Sequence, residues 1–148
     1  MEERSFTIGE LARAAGVGIE TIRFYERQQL LQRPAKPSRG YRRYPSGTLR
    51  RIEFIRRAKA VGFALEEIRE LLELRAKAGA PCTTIRERAI AKRAAIDAKI
   101  SELEELRSAV STLLDACTGR VVVEQCSILG ALEGHADRHE TRRSAKDG

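Results

Sequence analysis

Apolar residues recur along most of this chain with helical rather than strand spacing. Ile8, Leu11 and Ala12 fall on one face of a helix. Thr7-Ile8-Gly9-Glu10 sets a hydroxyl before that stripe and a carboxylate three residues on, the pattern of a capping box. A helix is therefore predicted from Thr7 to near Gly16. A second is predicted at about Ile19 to Gln29, with Ile22 and Tyr25 on one side and Arg23 and Arg27 projecting from another. Two short helices across the tight Ala15-Gly16-Val17-Gly18 turn match a helix-turn-helix, although an ordinary helical hairpin has the same pattern. A third helix, Thr48 to about Ala60, follows Pro45-Ser46 and buries Leu49, Ile52, Phe54 and Ile55. A fourth, Leu65 to Ala76, buries Leu65, Ile68, Leu71 and Leu72.

After Gly79-Ala80-Pro81 the pattern changes. From Thr84 to Ala116 there is no Gly or Pro, and Ile96, Ile100, Leu103, Leu106, Val110, Leu113 and Cys117 recur at spacings of four and three. That is the seam of a coiled coil. A single helix of this length cannot bury its own stripe, and the seam outlasts what so small an N-terminal domain can cover, so a second copy of the chain is the expected partner.

Charge adds a polyanion to the picture. The 148 residues carry a net charge of +7. Between Arg33 and Lys59 lie ten basic residues against the single acidic Glu53. A basic balance of this kind favours nucleic acid over a membrane surface. Within that stretch, Pro34 to Tyr44 has turn formers at Pro37, Ser38 and Gly40, and sets Tyr41 and Tyr44 among Arg39, Arg42 and Arg43. Two short strands around such a turn would make a basic wing beside the helix-turn-helix, its cations and hydroxyls gripping phosphates. No stretch approaches the ~20 apolar residues of a membrane span, and the N-terminus lacks the apolar run of a signal peptide. A cytoplasmic protein is expected, with no membrane partner and with the thiols of Cys82, Cys117 and Cys126 reduced.

Those three cysteines raise a distance problem. Cys82 is expected just before the long helix and Cys117 just after it. At ~1.5 Å rise per residue the helix holds them roughly 50 Å apart. Sulfurs sharing one ion lie only a few ångströms apart, so the two cannot serve one ion within a chain. Antiparallel pairing of two such helices removes the conflict, bringing Cys82 of one chain to Cys117 and Cys126 of the other at each end of the dimer. Three thiolates suit a soft ion, whereas structural zinc normally takes four ligands. Three unrelated buried cysteines are the plainer reading, but their placement at the two ends of one helix and across a short loop favours a metal site. His135 and His139 have a spacing that serves a metal only if the tail is helical; as solvated tail residues they need no such role. An enzyme is not expected: a nucleophilic thiolate needs an activating His or carboxylate, and none is placed for it.

The stretches TIGELARAAGV, ETIRFYERQQLL, GYRRYPSGTLRRIEFIRRAKAVGFALEEIRELL and CTGRVVVEQCSILGAL resemble the MerR family of transcription regulators, from about Phe6 to Leu132. The Cys82, Cys117 and Cys126 set resembles its divalent-metal branch, where mercury regulators have three ligands in this arrangement. The resemblance implies a mainly α fold: a winged helix-turn-helix DNA-binding domain over residues 6–76, a hinge over 77–83, an antiparallel coiled-coil dimerisation helix over 84–116, a metal-binding loop with a short helix over 117–133, and a disordered tail over 134–148. It implies a homodimer on a palindromic operator in double-stranded promoter DNA. Arg23 and Tyr25 on the second helix and Tyr41 and Arg42 in the wing should touch DNA, with Arg23 in the major groove, where arginine can read guanine. It further implies a repressor without metal that becomes an activator with mercury(II), distorting the promoter so that RNA polymerase engages. Lead(II), cadmium(II) and zinc(II) are the alternative inducers. The resembled zinc site adds a Cys beside Cys117, where this chain has Ala116, and a His in the loop, where it has Val121 to Val123. Copper(I) sensors have Ser at the position of Cys82; the redox branch needs a four-cysteine cluster and the multidrug branch a large effector domain, for neither of which this chain has the residues.

Overall fold

In a computed structural model the described residues are 4–134. His135, His139 and the rest of the expected tail beyond Gly134 lie outside them. The chain divides into two compact units between Lys92 and Arg93. The first holds β1 (Ser5–Phe6), α1 (Ile8–Ala15), α2 (Ile19–Arg27), β2 (Tyr44–Pro45), α3 (Ser46–Ala60) and α4 (Leu65–Ala76).

The capping box forms as the sequence predicts. Thr7 Oγ1 accepts the Glu10 N–H at 3.3 Å, and the Glu10 carboxylate accepts the Thr7 N–H at 2.8 Å. That backbone donor holds the Glu10 carboxyl below its ordinary value of 4.5. Gly16 closes α1 in the left-handed region, at φ 66. Helix α2 stops at Arg27, two residues short of the expected end, because Gln29 turns left-handed at φ 59. A non-glycine residue there costs roughly 1–2 kcal/mol. The turn is held by the N–H groups of Leu30 and Leu31, which donate to the Tyr25 carbonyl at 2.9 and 3.3 Å, and it buries both leucines.

The expected wing strands are absent from residues 34–43. The ladder forms instead between β1 and β2, antiparallel, with Ser5 opposite Pro45 and Phe6 opposite Tyr44. Pro34 and Pro37 lack the N–H donors a hairpin ladder needs. Tyr44, once released from a wing strand, enters the core. Helix α3 begins two residues earlier than expected, directly after Pro45, whose fixed φ of −64 suits a helix start. Ile52 and Ile55 are fully buried and Ala58 joins them, while Leu49 and Phe54 pack around the edge. Helix α4 has the expected bounds and buries Ile68, Leu71 and Leu72. Ile52, Ile55, Ala58, Ile68 and Leu72 meet Leu11, Ile22, Leu30 and Tyr44 in one core.

Helix α5 (Cys82–Asp115) is 34 residues long. It begins directly after Pro81, so Cys82 opens its first turn rather than preceding it. Its early turns pack on α4: Lys92 Nζ lies 2.7 Å from Glu67 Oε1 and over the Phe63 ring, and Arg88 lies 3.3 Å from Glu70. Glu67 also accepts the Ala64 N–H at 3.0 Å, capping α4. The second unit consists of the remainder of α5, a single 3-10 turn at Val123–Gln125 and α6 (Ser127–Leu132). No residue of α5 is buried, and Leu103 and Leu106 of the predicted seam are 58% and 61% exposed.

Two outcomes follow. Ile52→Ala, which empties a fully buried site, should lower unfolding free energy by about 2–5 kcal/mol, read as a shifted urea midpoint. The Glu67 carboxyl is held below 4.5 chiefly by its hydrogen bond from Lys92. A depressed carboxylate stabilises the fold above its unfolded pKa, and that contribution is lost as pH falls through the folded value. The melting-temperature gap between the wild type and Glu67→Gln should therefore be present at neutral pH and close on acidification below the usual carboxylate range.

Candidate nucleic-acid interface and thiol pair

The first unit carries an open cleft between α2 and the segment leading to β2. Arg23, Glu26, Arg27, Arg33, Tyr41 and Arg42 line it. Three of the four residues expected to touch DNA therefore come together: Arg23 from α2, and Tyr41 and Arg42 from the wing segment. Arg23 is exposed and Tyr41 stands 82% open. Arg42 is half-buried because its Nε donates to the Pro34 carbonyl at 3.1 Å. Four guanidiniums against one carboxylate make the cleft strongly electropositive, the electrostatics a phosphate backbone requires.

Tyr25 does not join that set. It is 3% exposed and its ring is part of the core, beside Phe24 and under the Lys59 ammonium. The helix period that puts Ile22 inward puts Tyr25 inward with it, so the placement departs from the expectation of an open contact. Tyr44 departs likewise from the expected basic wing. It is 2% exposed, and its hydroxyl donates to Glu26 at 2.5 Å. Burial and that hydrogen bond push the phenol up to about 12. Arg27, Arg33 and Glu26 were outside the expected contacts. The four-residue step from Arg23 marks Arg27 as its neighbour on α2; no local pattern marks Glu26.

The basic run also divides by task. Arg56 donates to the Ala15 carbonyl at the end of α1 (2.6 Å), Arg51 to the Leu30 carbonyl (2.6 Å), and Arg43 to the Ser5 carbonyl (3.0 Å). Arg69, further along, donates to the Gln28 carbonyl after α2 at 2.5 Å. Arg51, Arg56 and Arg69 thus serve carbonyls at helix ends and turns, and Arg43 one in β1. In the cleft itself, Arg23, Arg27 and Arg33 are exposed.

The thiols lie elsewhere. In the second unit, Cys117 follows α5 and Cys126 precedes α6, near enough for the Cys117 thiol to be among the groups that lower the Cys126 pKa. Gly119 turns the intervening loop at φ 69, and Ser127 Oγ closes it by donating to the Ala116 carbonyl at 2.8 Å. The Leu129 backbone N–H foremost, then that of Ile128 and the Cys117 thiol, hold Cys126 below its ordinary value of 9.0. Such donors favour the thiolate, the form that binds metal. Both sulfurs are free and half-buried; Cys82 is free and exposed at the opposite end of α5. Among the described residues no three His, Cys, Asp or Glu side chains of the single chain form a metal-holding group. Two of the three expected ligands are thus brought together and the third is not.

Comparison with known proteins identifies the family. The model of the MerR HTH family regulatory protein matches residues 6–75, and that of MerR, DNA binding, matches residues 49–113. The mercuric resistance operon regulatory protein of Shigella flexneri is 38% identical over 132 residues, 89% of this chain and 90% of that protein. The HTH-type transcriptional regulator ZntR of Escherichia coli K12 is 38% identical over 130 residues, 86% of this chain and 92% of that protein. Among solved structures, the transcription regulator PbrR691 from Ralstonia metallidurans CH34 in complex with lead(II) superposes with a TM-score of 0.80 at 35% identity, covering 86% of this chain and 98% of that one. Sequence and fold agree along nearly the whole length, and the chain belongs to the MerR family of DNA-binding, helix-turn-helix transcription regulators.

Proposed function

We propose that this protein is a homodimeric, metal-responsive regulator of a mercury resistance operon, acting in the cytoplasm. The observation that carries the reading is the thiol arrangement. Cys117 and Cys126 meet after one end of α5, Cys82 opens the other, and the apolar stripe between them is bare. An antiparallel partner covers that stripe and supplies the missing ligand, Cys82, to each Cys117–Cys126 pair. The donor set is then three thiolates, with Cys126 already favoured as thiolate, and this suits mercury(II). The mercuric regulator of Shigella flexneri, similar over nearly its full length, supports the same ion.

Residues 6–76 would bind the operator through Arg23, Tyr41 and Arg42, while residues 84–116 pair the protomers and 117–133 complete the ion site. Tyr25 acts there as a core residue that sets the helix bearing Arg23. Without metal the dimer represses. With metal it holds the promoter bent and untwisted so that RNA polymerase engages, a deformation of order a few kcal/mol. Coupling is reciprocal, so distorted DNA tightens metal binding by the factor by which metal favours distortion. The lead(II) complex of a relative, and the similarity to ZntR, favour as second reading a regulator of a metal efflux gene responding to lead(II), cadmium(II) or zinc(II).

A metal titration of the reduced dimer against excess small-molecule thiol, followed by thiolate-to-metal charge-transfer absorption, separates these readings. Mercury(II) alone should survive the competition, and Cys82→Ser should abolish its retention. Retention of lead(II) or cadmium(II) as well would move the assignment to the second reading; no retention of any ion would remove the metal role. On the DNA side, Arg23→Ala should weaken operator binding by about 1–3 kcal/mol without moving the melting temperature, measured by fluorescence anisotropy at fixed salt.

A further inference from the structure

Glu26 is the one carboxylate lining an otherwise cationic cleft. It lies on α2 three residues after Arg23 and one before Arg27. A negative charge there opposes any phosphate that enters. Among the described residues it forms no ion pair with the arginines around it. Its carboxylate instead accepts the Tyr44 hydroxyl at 2.5 Å. Tyr44 is in turn fixed by its backbone, paired with Phe6 in the ladder, and by its ring, which is fully buried. Burial and the Glu26 bond raise the phenol's pKa, which favours the protonated, donating form.

The geometry matters because the wing segment has no strands of its own. Residues 34–43 are held by few side-chain ties: Arg42 to Pro34, and Arg43 to Ser5 and, at 3.6 Å, to Glu10 of α1. Tyr41 and Arg42 sit three and two residues before Tyr44, whose hydroxyl is the bond that joins the end of this segment to α2. Arg23 and the wing residues are brought to one cleft across that bond.

We propose that Glu26 and Tyr44 form a positioning pair that sets operator specificity without touching DNA. The inference rests on the DNA-binding reading and deepens it. The hydrogen bond fixes the spacing between Arg23 and the Tyr41–Arg42 pair, which only a correctly shaped operator rewards. The uncompensated charge of Glu26 weakens attraction to any duplex at all. Both effects raise the ratio of specific to non-specific binding.

The test uses the full-length reduced protein, an inverted-repeat duplex selected from random sequence by the wild type, and a scrambled duplex of equal length. Tyr44→Phe keeps the buried ring and removes only the hydroxyl. It should weaken binding to the selected duplex roughly tenfold, the scale of a hydrogen bond to a charged group, and leave the scrambled duplex unchanged. Glu26→Gln keeps an acceptor for the hydroxyl and removes the charge. It should hold the selected duplex at wild-type strength or tighter and tighten the scrambled one. Glu26→Ala should lose the selected duplex as Tyr44→Phe does, and Tyr44→Phe combined with Glu26→Ala should lose no more than Glu26→Ala alone. Wild-type binding of the selected duplex by Tyr44→Phe would overturn the proposal. So would additive losses in the double variant, or a parallel fall on both duplexes, which marks a general folding defect. If the wild type selects no duplex, it is the DNA-binding reading itself that fails.

Discussion

A helix of 34 residues with an apolar stripe and no buried residue cannot be a finished structure in one chain. The stripe has to be covered, since leaving apolar area in water forgoes about 25 cal/mol per Å². The same helix sets the thiol problem: its length keeps Cys82 from the Cys117–Cys126 pair. One arrangement, antiparallel pairing with a second copy, answers both demands. On the proposed reading dimerisation and ligand assembly would be a single event, and a change in how the helices pair would be felt at both thiol sets. The early turns of α5 also pack on α4 through Lys92 and Arg88, so the helix that completes the ligand set is joined to the DNA-binding unit. On the proposed reading, metal binding at the thiols would be coupled to the operator through this helix.

In the first unit, arginine does two jobs with one chemistry. Arg51, Arg56 and Arg69 turn inward to carbonyls at helix ends and turns, where a fork of fixed donors suits a backbone oxygen. Arg23, Arg27 and Arg33 remain open in the cleft. A basic run is thus an upper bound on the charge offered to DNA. The four-helix core is small, and these guanidinium bonds tie its helix ends and turns together.

Much of this was legible from local pattern. The capping box at Thr7, the bounds of α4 and the inward face of α3 are each written within one turn of helix. The bare seam of α5 follows from its period. What the sequence did not disclose depends on distant partners. The wing strands failed because Pro34 and Pro37 lack donors and because Tyr44 pairs with Phe6, which lies 38 positions earlier in the chain. Tyr44 then reads as a phosphate-gripping hydroxyl in a basic segment, when burial and Glu26 claim it. Tyr25 sat on the inward face by helical period, and the structure follows the period. Cys82 moved into α5 because Pro81 starts the helix earlier than Thr84. The adjacency of Cys117 and Cys126 was legible as a short loop; the N–H donors of Leu129 and Ile128 that favour the Cys126 thiolate exist only once α6 forms.

If each ion site is built from both protomers, subunit exchange can assemble it from two defective parents. Cys82→Ser homodimers keep the Cys117–Cys126 pairs and lack the third ligand. Homodimers of the double variant Cys117→Ser, Cys126→Ser keep only Cys82. Neither should retain mercury(II) against competing thiol. After mixing and exchange, the heterodimer holds one complete set, Cys82 from one chain with Cys117 and Cys126 from the other. The mixture should regain mercury(II) binding at one ion per heterodimer. A mixture that exchanges subunits and still binds none, or a Cys82→Ser homodimer that binds unaided, would contradict it.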